Sequence, residues 1–185
     1  MINKALFLDR DGVINLDHGY VSSVEDFQFV DGIFELSRAA ISKGYVILVI
    51  TNQAGIGRGF YSVTNFKTLT DWMCDRFSAE GASISKVYFS PYHPVHGLGI
   101  YKKDDFSRKP HPGMLIEAEA DFNLRMSDCV LVGDKATDIQ AGRAAGVGMN
   151  ILLSSSKDSG GLMTSDYVRI TSLKEVIQYL KEVSE

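Results

Sequence analysis

Hydrophobic and polar positions fall into blocks of two kinds. Residues 5–8 (ALFL), 45–50 (YVILVI), 87–89 (VYF), 129–132 (CVLV) and 149–153 (MNILL) are short runs rich in β-branched and aromatic residues. Runs of this kind predict strands buried on both faces, as in a parallel sheet. Between them the apolar spacing turns helical. Ile33, Leu36, Ala40 and Ile41 form one stripe over 33–43, and Gly44 follows as a stop. Phe66, Leu69, Met73 and Phe77 form another over 63–80, before Gly81. Pro112 opens a third pattern through Met114, Leu115, Ala118 and Phe122. A short alanine-rich helix over 138–145 ends at Gly146, and Ser172 with Glu175 makes a capping box for a last helix reaching Val183. Strands alternating with helices predict a doubly wound α/β fold: a mainly parallel sheet with helices on both faces and right-handed crossovers. No segment is large enough for a separate cap domain, so residues 1–185 are expected to form one domain.

Composition narrows the class. A length of 185 residues suits a single domain with its own core. Residues are 45% apolar and 23% charged, the balance of a soluble globular chain. The net charge of −4 provides no basic field for nucleic acid or an anionic membrane, so neither partner is expected. No apolar run approaches a bilayer span, and residues 5–8 are too short for a signal-peptide core. Cys74 and Cys129 lie far apart without a CxxC pattern, the usage of a reduced, cytoplasmic protein. Residues 154–166 (SSSKDSGGLMTSD) read as a mobile surface loop. The connections 10–31, 52–62 and 90–112 are long for a compact domain, and long loops are usually functional.

Ligands of parallel α/β sheets bind beyond the carboxyl ends of the strands. The first strand delivers Asp9 and Asp11 to that edge, the second Thr51, Asn52 and Gln53, and the fourth Gly133, Asp134 and Lys135. The loop after the third strand carries Arg108 and Lys109. Carboxylate oxygens suit Mg²⁺, which prefers oxygen ligands and partners phosphate. Asp9 is then a candidate nucleophile toward phosphorus, and Asp11 a candidate acid/base for the leaving oxygen and for water. Thr51 and Lys109 are candidates to donate to the phosphoryl oxygens as charge develops.

Four ordered segments, FLDRDGV, VITNQAGIGRG, RKPHPG and VGDKATD, resemble the motifs of haloacid dehalogenase superfamily phosphatases, with a Rossmann-like fold. The likeness spans roughly residues 4 to 153. LDRDG, DHGY, TNQ and RKPHPGM are similar to the histidinol-phosphate and heptose 1,7-bisphosphate phosphatases, and INLDHGYV with NFKTLTDWM looks closest to the heptose branch. The resemblance implies Asp9 as nucleophile, Asp11 as acid/base, and Thr51 and Lys109 as stabilisers of the phosphoryl group. Arg108 would assist substrate recognition. Mg²⁺ would be held by Asp9, the main-chain carbonyl of Asp11, and Asp134, with Lys135 adjacent. Arg10, Asp17, His18, Gly19, Tyr20, Asn52, Gln53, Ala54 and Arg58 would meet the substrate. The implied reaction is Mg²⁺-dependent removal of the C7 phosphate from a heptose 1,7-bisphosphate through an aspartyl-phosphate, in nucleotide-activated heptose synthesis for lipopolysaccharide or surface glycan, by a monomer. Close members carry a zinc-binding Cys-x-His and Cys-x-Cys. Here Ser90, Tyr92, Asp105 and Ser107 stand at the four thiolate and imidazole positions, so zinc is not expected. His93 and His96 remain nearby. Tyr92, Pro94 and Tyr101 are expected to hold that loop by packing instead.

Blander readings stand beside these. Alone, Asp9 and Asp11 would begin a turn, Thr51 would end a strand, and Lys109 would be a solvated lysine. Asp138 could position Lys135 or merely favour the first turn of its helix. His18 could be a turn histidine, and Arg58 a surface charge with a distal-phosphate role as the lesser reading. GIGRG lacks the spacing of a dinucleotide fingerprint. Histidinol phosphate is the alternative substrate. A phospho-accepting receiver-like module is the alternative from another class; there, however, the phosphorylated aspartate follows a middle strand, whereas this acidic pair follows the first.

Overall fold

The computed structural model describes residues 3–154 and 166–182. Six strands form one sheet: β1 (Lys4–Leu8), β2 (Tyr45–Asn52), β3 (Ile84–Ser90), β4 (Val130–Gly133), β5 (Met149–Leu153) and β6 (Val168–Ile170). Their order is β3-β2-β1-β4-β5-β6, and every neighbouring pair is parallel. The chain order reverses direction between β1 and β4. Such a reversal leaves a crevice outside the carboxyl ends of the two strands, where their crossovers depart to opposite faces.

The helices are α1 (Ile33–Ser42), α2 (Ala54–Gly57), α3 (Val63–Ala79), α4 (Gly113–Phe122) and α5 (Ala136–Ala144). Strand side chains alternate between two cores, as the pleat requires. Leu6 and Leu8 of β1, with Ile47 and Val49 of β2, meet α1 and α3 through Leu36, Leu69, Met73 and Phe77. Ala5 and Phe7, with Leu48 and Ile50, meet α4 and α5 through Leu115, Ala118 and Ala141. Burial on both faces explains why the strands read as unbroken apolar runs. Ser62 opens α3: its hydroxyl accepts from the Asn65 N–H, while the Asn65 side chain accepts from the Ser62 N–H.

Two expectations need correction. The last segment is not an α-helix: Leu173–Tyr179 is a 3₁₀ helix, and Val183 lies outside the described residues. Its buried side chains Leu173 and Val176 are three apart, which suits three residues per turn. β6 was not expected. It is three residues long at the sheet edge, with half-buried Arg169 at its centre, so no apolar run announced it. Most of the loop expected over 154–166 lies outside the described residues. Among the described residues, no helix is long and apolar enough to cross a membrane.

Candidate active site

Asp9 follows the last residue of β1, and its N–H donates to the Val132 carbonyl of β4 at 3.0 Å. The carboxylate is thereby fixed at the crevice floor, 6% exposed. Lys109, 3% exposed, comes from the loop after β3. Its Nζ lies 3.0 Å from Asp9 Oδ2 and 2.6 Å from Asp138 Oδ1, and donates to the Ile50 carbonyl at 3.0 Å. The loop is docked by Asn52, whose side-chain amide donates to the Lys109 carbonyl and accepts from the Lys109 N–H, both at 3.0 Å. One side chain at the end of β2 thus acts as a strand partner for the lysine's backbone.

Burial pushes the Asp9 carboxyl up to about 7; Lys109 opposes this, while Asp138, Asp134 and Asp11 add to it. Burial works against the charge on Lys109, yet Asp9 and Asp138 outweigh it and raise its pKa. Asp134 is likewise raised by burial, with Lys135 opposing. Carboxylate oxygens of Asp9, Asp134 and Asp138 all lie within 4.8 Å of one another. Asp134 Oδ1 is buried without a hydrogen-bond partner among the described residues. An orphaned carboxylate oxygen beside a second carboxylate fits an oxygen-seeking divalent cation. Asp138 suits that role less: Lys109 takes one of its oxygens and the Lys135 N–H donates to the other at 2.9 Å. Gly12, at φ 92, is needed beside this cluster because a Cβ there would stand 2.2 Å from Asp134 Oδ2.

Asp11 also lines the cleft and is held by three neighbours. Arg10 Nη2 reaches both its oxygens at 3.0 Å, Asn15 Nδ2 donates to Oδ1 at 3.1 Å, and Gln53 Nε2 donates to Oδ2 at 3.0 Å. Gln53 Nε2 also lies 2.8 Å from Thr51 Oγ1. Arg10 is 1% exposed and donates to the Val21 carbonyl. Arg10 and Gln53, expected to meet substrate, therefore sit behind Asp11 and not in the cleft. Thr51, 1% exposed, lies beneath the floor beside them.

The cleft encloses about 460 Å³. Asp9, Asp11, Asp17, Gly19, Tyr20, Asn52, Ala54, Arg108, Lys109 and Lys135, all candidates singled out in the sequence, line it. Asp17 accepts from the Gly19 N–H at 3.0 Å and pairs with Lys135 at 3.1 Å, which ties the DHGY turn to the end of β4. These two partners hold Asp17 below the usual carboxylate range against the opposing effect of burial. Arg108 is half-buried and donates to the Tyr92 carbonyl at 3.0 Å. Besides Arg10, Thr51 and Gln53, three expected residues are not part of the cleft lining: Asp134, which lines a neighbouring cavity with Gly12 and Asp17, and His18 and Arg58. His18 Nε2 lies 3.2 Å from Gln28 Oε1 on the surface, and the Arg58 guanidinium lies over the rings of Tyr20 and Phe60.

Sequence reasoning missed three residues of the lining, Gly55, Tyr61 and Thr137, and left Asp138 undecided. Asp138 accepts from the Lys135 N–H, so it holds Lys135 and caps the first turn of α5 at once, and it also pairs with Lys109, which was not anticipated. The second acidic residue of VGDKATD, predicted beside a buried strand end, was the available signal. Tyr61 carried none, being one aromatic in a polar loop.

The four positions that resemble a zinc site are joined differently. Ser107 Oγ lies 3.0 Å from Ser90 Oγ and donates to Asp105 Oδ1 at 2.6 Å, while Lys103 pairs with Asp105 and lies over the Tyr92 ring. Tyr92 and Tyr101 pack with ring centres 5.9 Å apart, whereas Pro94 is exposed. Hydrogen bonds and ion pairs therefore hold this loop alongside packing.

The HAD-hydrolase-like family model matches residues 106–176. A D-glycero-alpha-D-manno-heptose-1,7-bisphosphate 7-phosphatase of Burkholderia mallei is 52% identical over 180 residues, covering 97% of this chain and 95% of its own. A D-glycero-beta-D-manno-heptose-1,7-bisphosphate 7-phosphatase of Vibrio cholerae is 43% identical over 188 residues and covers both chains fully. Among solved structures, a D,D-heptose 1,7-bisphosphate phosphatase from B. bronchiseptica, complexed with magnesium and phosphate, superposes with a TM-score of 0.80. At 24% identity over 96% of this chain and 97% of its own, it speaks for the fold.

Proposed function

The chain belongs to the HAD-like phosphatases, and from that premise we propose that it removes the C7 phosphate of D-glycero-D-manno-heptose 1,7-bisphosphate in a Mg²⁺-dependent reaction. The observation that carries this reading is the placement of buried Asp9 beside Lys109 and Asp134, at the floor of a cleft that also presents Arg108. Relatives of both anomeric names align along the whole domain.

Asp9 Oδ attacks the C7 phosphorus, and the bond from phosphorus to the sugar oxygen breaks. Asp11 gives that oxygen its proton, which releases heptose 1-phosphate and leaves an aspartyl-phosphate on Asp9. Asp11 then takes a proton from water as the water oxygen attacks phosphorus; inorganic phosphate departs and Asp9 returns as a carboxylate. Lys109 stabilises the charge on the transferring group, and Asp138 holds Lys109 in line. Asp9, the Asp11 main-chain carbonyl and Asp134 would hold Mg²⁺, with Lys135 beside them. When bound, the ion neutralises phosphoryl charge. Arg108 grips the distal phosphate, because a guanidinium forks onto phosphate oxygens in a geometry that a lysine lacks. Asp17, Gly19 and Tyr20 face the sugar hydroxyls.

All these groups come from one chain, which supports a monomeric enzyme acting on a small molecule. Two free cysteines and a phosphosugar substrate support a cytoplasmic place in activated-heptose synthesis. A phosphate-release screen over heptose 1,7-bisphosphate, other sugar phosphates and histidinol phosphate tests the assignment. Preference for histidinol phosphate would overturn it.

A further inference from the structure

We propose that Tyr61 and Gln53 are positioning residues for proton transfer to the leaving oxygen: the Tyr61 hydroxyl fixes the Gln53 side-chain amide, which in turn fixes the Asp11 carboxylate and the Thr51 hydroxyl. The inference deepens the proposed function and rests on its reading of Asp11 as the acid/base.

The chain of contacts has one direction. The Asp11 proton that goes to the leaving oxygen must point into the cleft, so the carboxyl oxygen on the Gln53 side accepts in either protonation state, and the amide nitrogen of Gln53 faces it at 3.0 Å. The same nitrogen reaches Thr51 Oγ1 at 2.8 Å. With its oxygen as acceptor there, the threonine is left to aim its own proton elsewhere. Gln53 Oε1 is then turned the other way, in a residue only 1% exposed, where an unmet acceptor would be costly. The Tyr61 hydroxyl donates to it at 2.5 Å. Burial pushes the Tyr61 hydroxyl up to about 12, so it keeps the proton it donates. Gly55 makes room for this: a Cβ there would stand 2.2 Å from the Tyr61 ring. Without the tyrosine hydroxyl, the amide loses the partner that selects its orientation. If it flips, its oxygen faces the Asp11 carboxylate and repels it.

The test is leaving-group dependence. A sugar oxygen is a strong base and needs a proton as it departs, whereas p-nitrophenolate is a weak base and does not. The ratio kcat/KM reports events through Asp9 phosphorylation. Tyr61→Phe should lower kcat/KM on heptose 1,7-bisphosphate at least about 10-fold, part of the roughly 10²–10⁴-fold that positioned proton transfer supplies. On p-nitrophenyl phosphate it should change within about 2-fold, because the acid contributes little there. Gln53→Met should act in the same sense and more strongly, and adding Tyr61→Phe to it should cost nothing further, since Tyr61 acts only through Gln53. Thermal melting verifies that each variant folds. Equal losses on both substrates, or additive losses in the double variant, would overturn the inference. Asp11→Asn is the control. If it discriminates between the substrates and Tyr61→Phe does not, the inference alone is wrong. If Asp11→Asn treats both alike, the acid/base reading beneath it is wrong as well.

Discussion

Asp9→Asn exchanges one oxygen for an amide nitrogen at the cleft floor. The amide neither attacks phosphorus nor binds a divalent cation well, so turnover should vanish in steady-state assays while the fold persists. Asp11→Asn keeps the main-chain carbonyl and loses the proton relay, so its rate on the sugar bisphosphate should fall by about 10²–10⁴-fold. The raised Asp9 pKa also has a stability signature. Its folded value, about 7, lies above the reference 3.8, so the native state binds the extra proton between those limits. Without divalent cations, stability should fall as pH rises from about 4 to 7 through this group. Mg²⁺ displaces that proton, so its stabilising effect should grow over the same range. Melting temperatures with and without EDTA test both points, and Asp9→Asn should flatten the metal-free dependence. Asp9, Asp11, Lys109 and Asp134 were legible in the sequence because strand ends and motif order mark them. The inward-facing roles of Arg10 and Gln53 were not, because motif membership says nothing about which side of a carboxylate a neighbour occupies.

Elements with strong periodicity were read almost to the residue. α1 and α3 stop where Gly44 and Gly81 follow, and the buried face of α3 matches its apolar stripe, whereas in α1 Ile41 of the expected stripe is 39% exposed and Ser37 is buried. The 3₁₀ segment and β6 escaped because three-residue spacing and a three-residue edge strand leave too little pattern to separate from noise. Ser62→Ala removes the N-cap of α3 and should cost about 0.5–2 kcal/mol in denaturant unfolding. The loop 90–112 depends on side-chain hydrogen bonds where related chains are expected to carry zinc. Ser107→Ala should therefore destabilise by about 0.5–1.5 kcal/mol. Metal analysis of the purified protein should find no stoichiometric zinc; one zinc per chain would mean that His93, His96 or nearby carboxylates rebuild a site.

On the scale of the whole molecule, the strand order places the two acidic strand ends side by side, and Asn52 at the end of β2 docks the long β3–α4 connection that brings Arg108 and Lys109 to them. Strands alternating with helices made the α/β class and a ligand edge at the carboxyl ends foreseeable, while the strand order itself was not read from the pattern. The distances that join Lys109 to both Asp9 and Asp138 were not foreseeable, since they depend on how a 22-residue connection (91–112) between β3 and α4 closes. Arg108→Ala should lower kcat/KM on heptose 1,7-bisphosphate by about 10- to 150-fold, the worth of a charge-assisted contact of roughly 1.5–3 kcal/mol. On a monophosphate lacking the distal group, the loss should be much smaller. The central claim is that Asp9 attacks the C7 phosphorus while the C1 phosphate stays bound and intact. Phosphorus NMR of the heptose 1,7-bisphosphate reaction tests it most directly. The expected spectrum holds inorganic phosphate and heptose 1-phosphate in equal amounts; heptose 7-phosphate as the product, or an unchanged bisphosphate, would contradict the account.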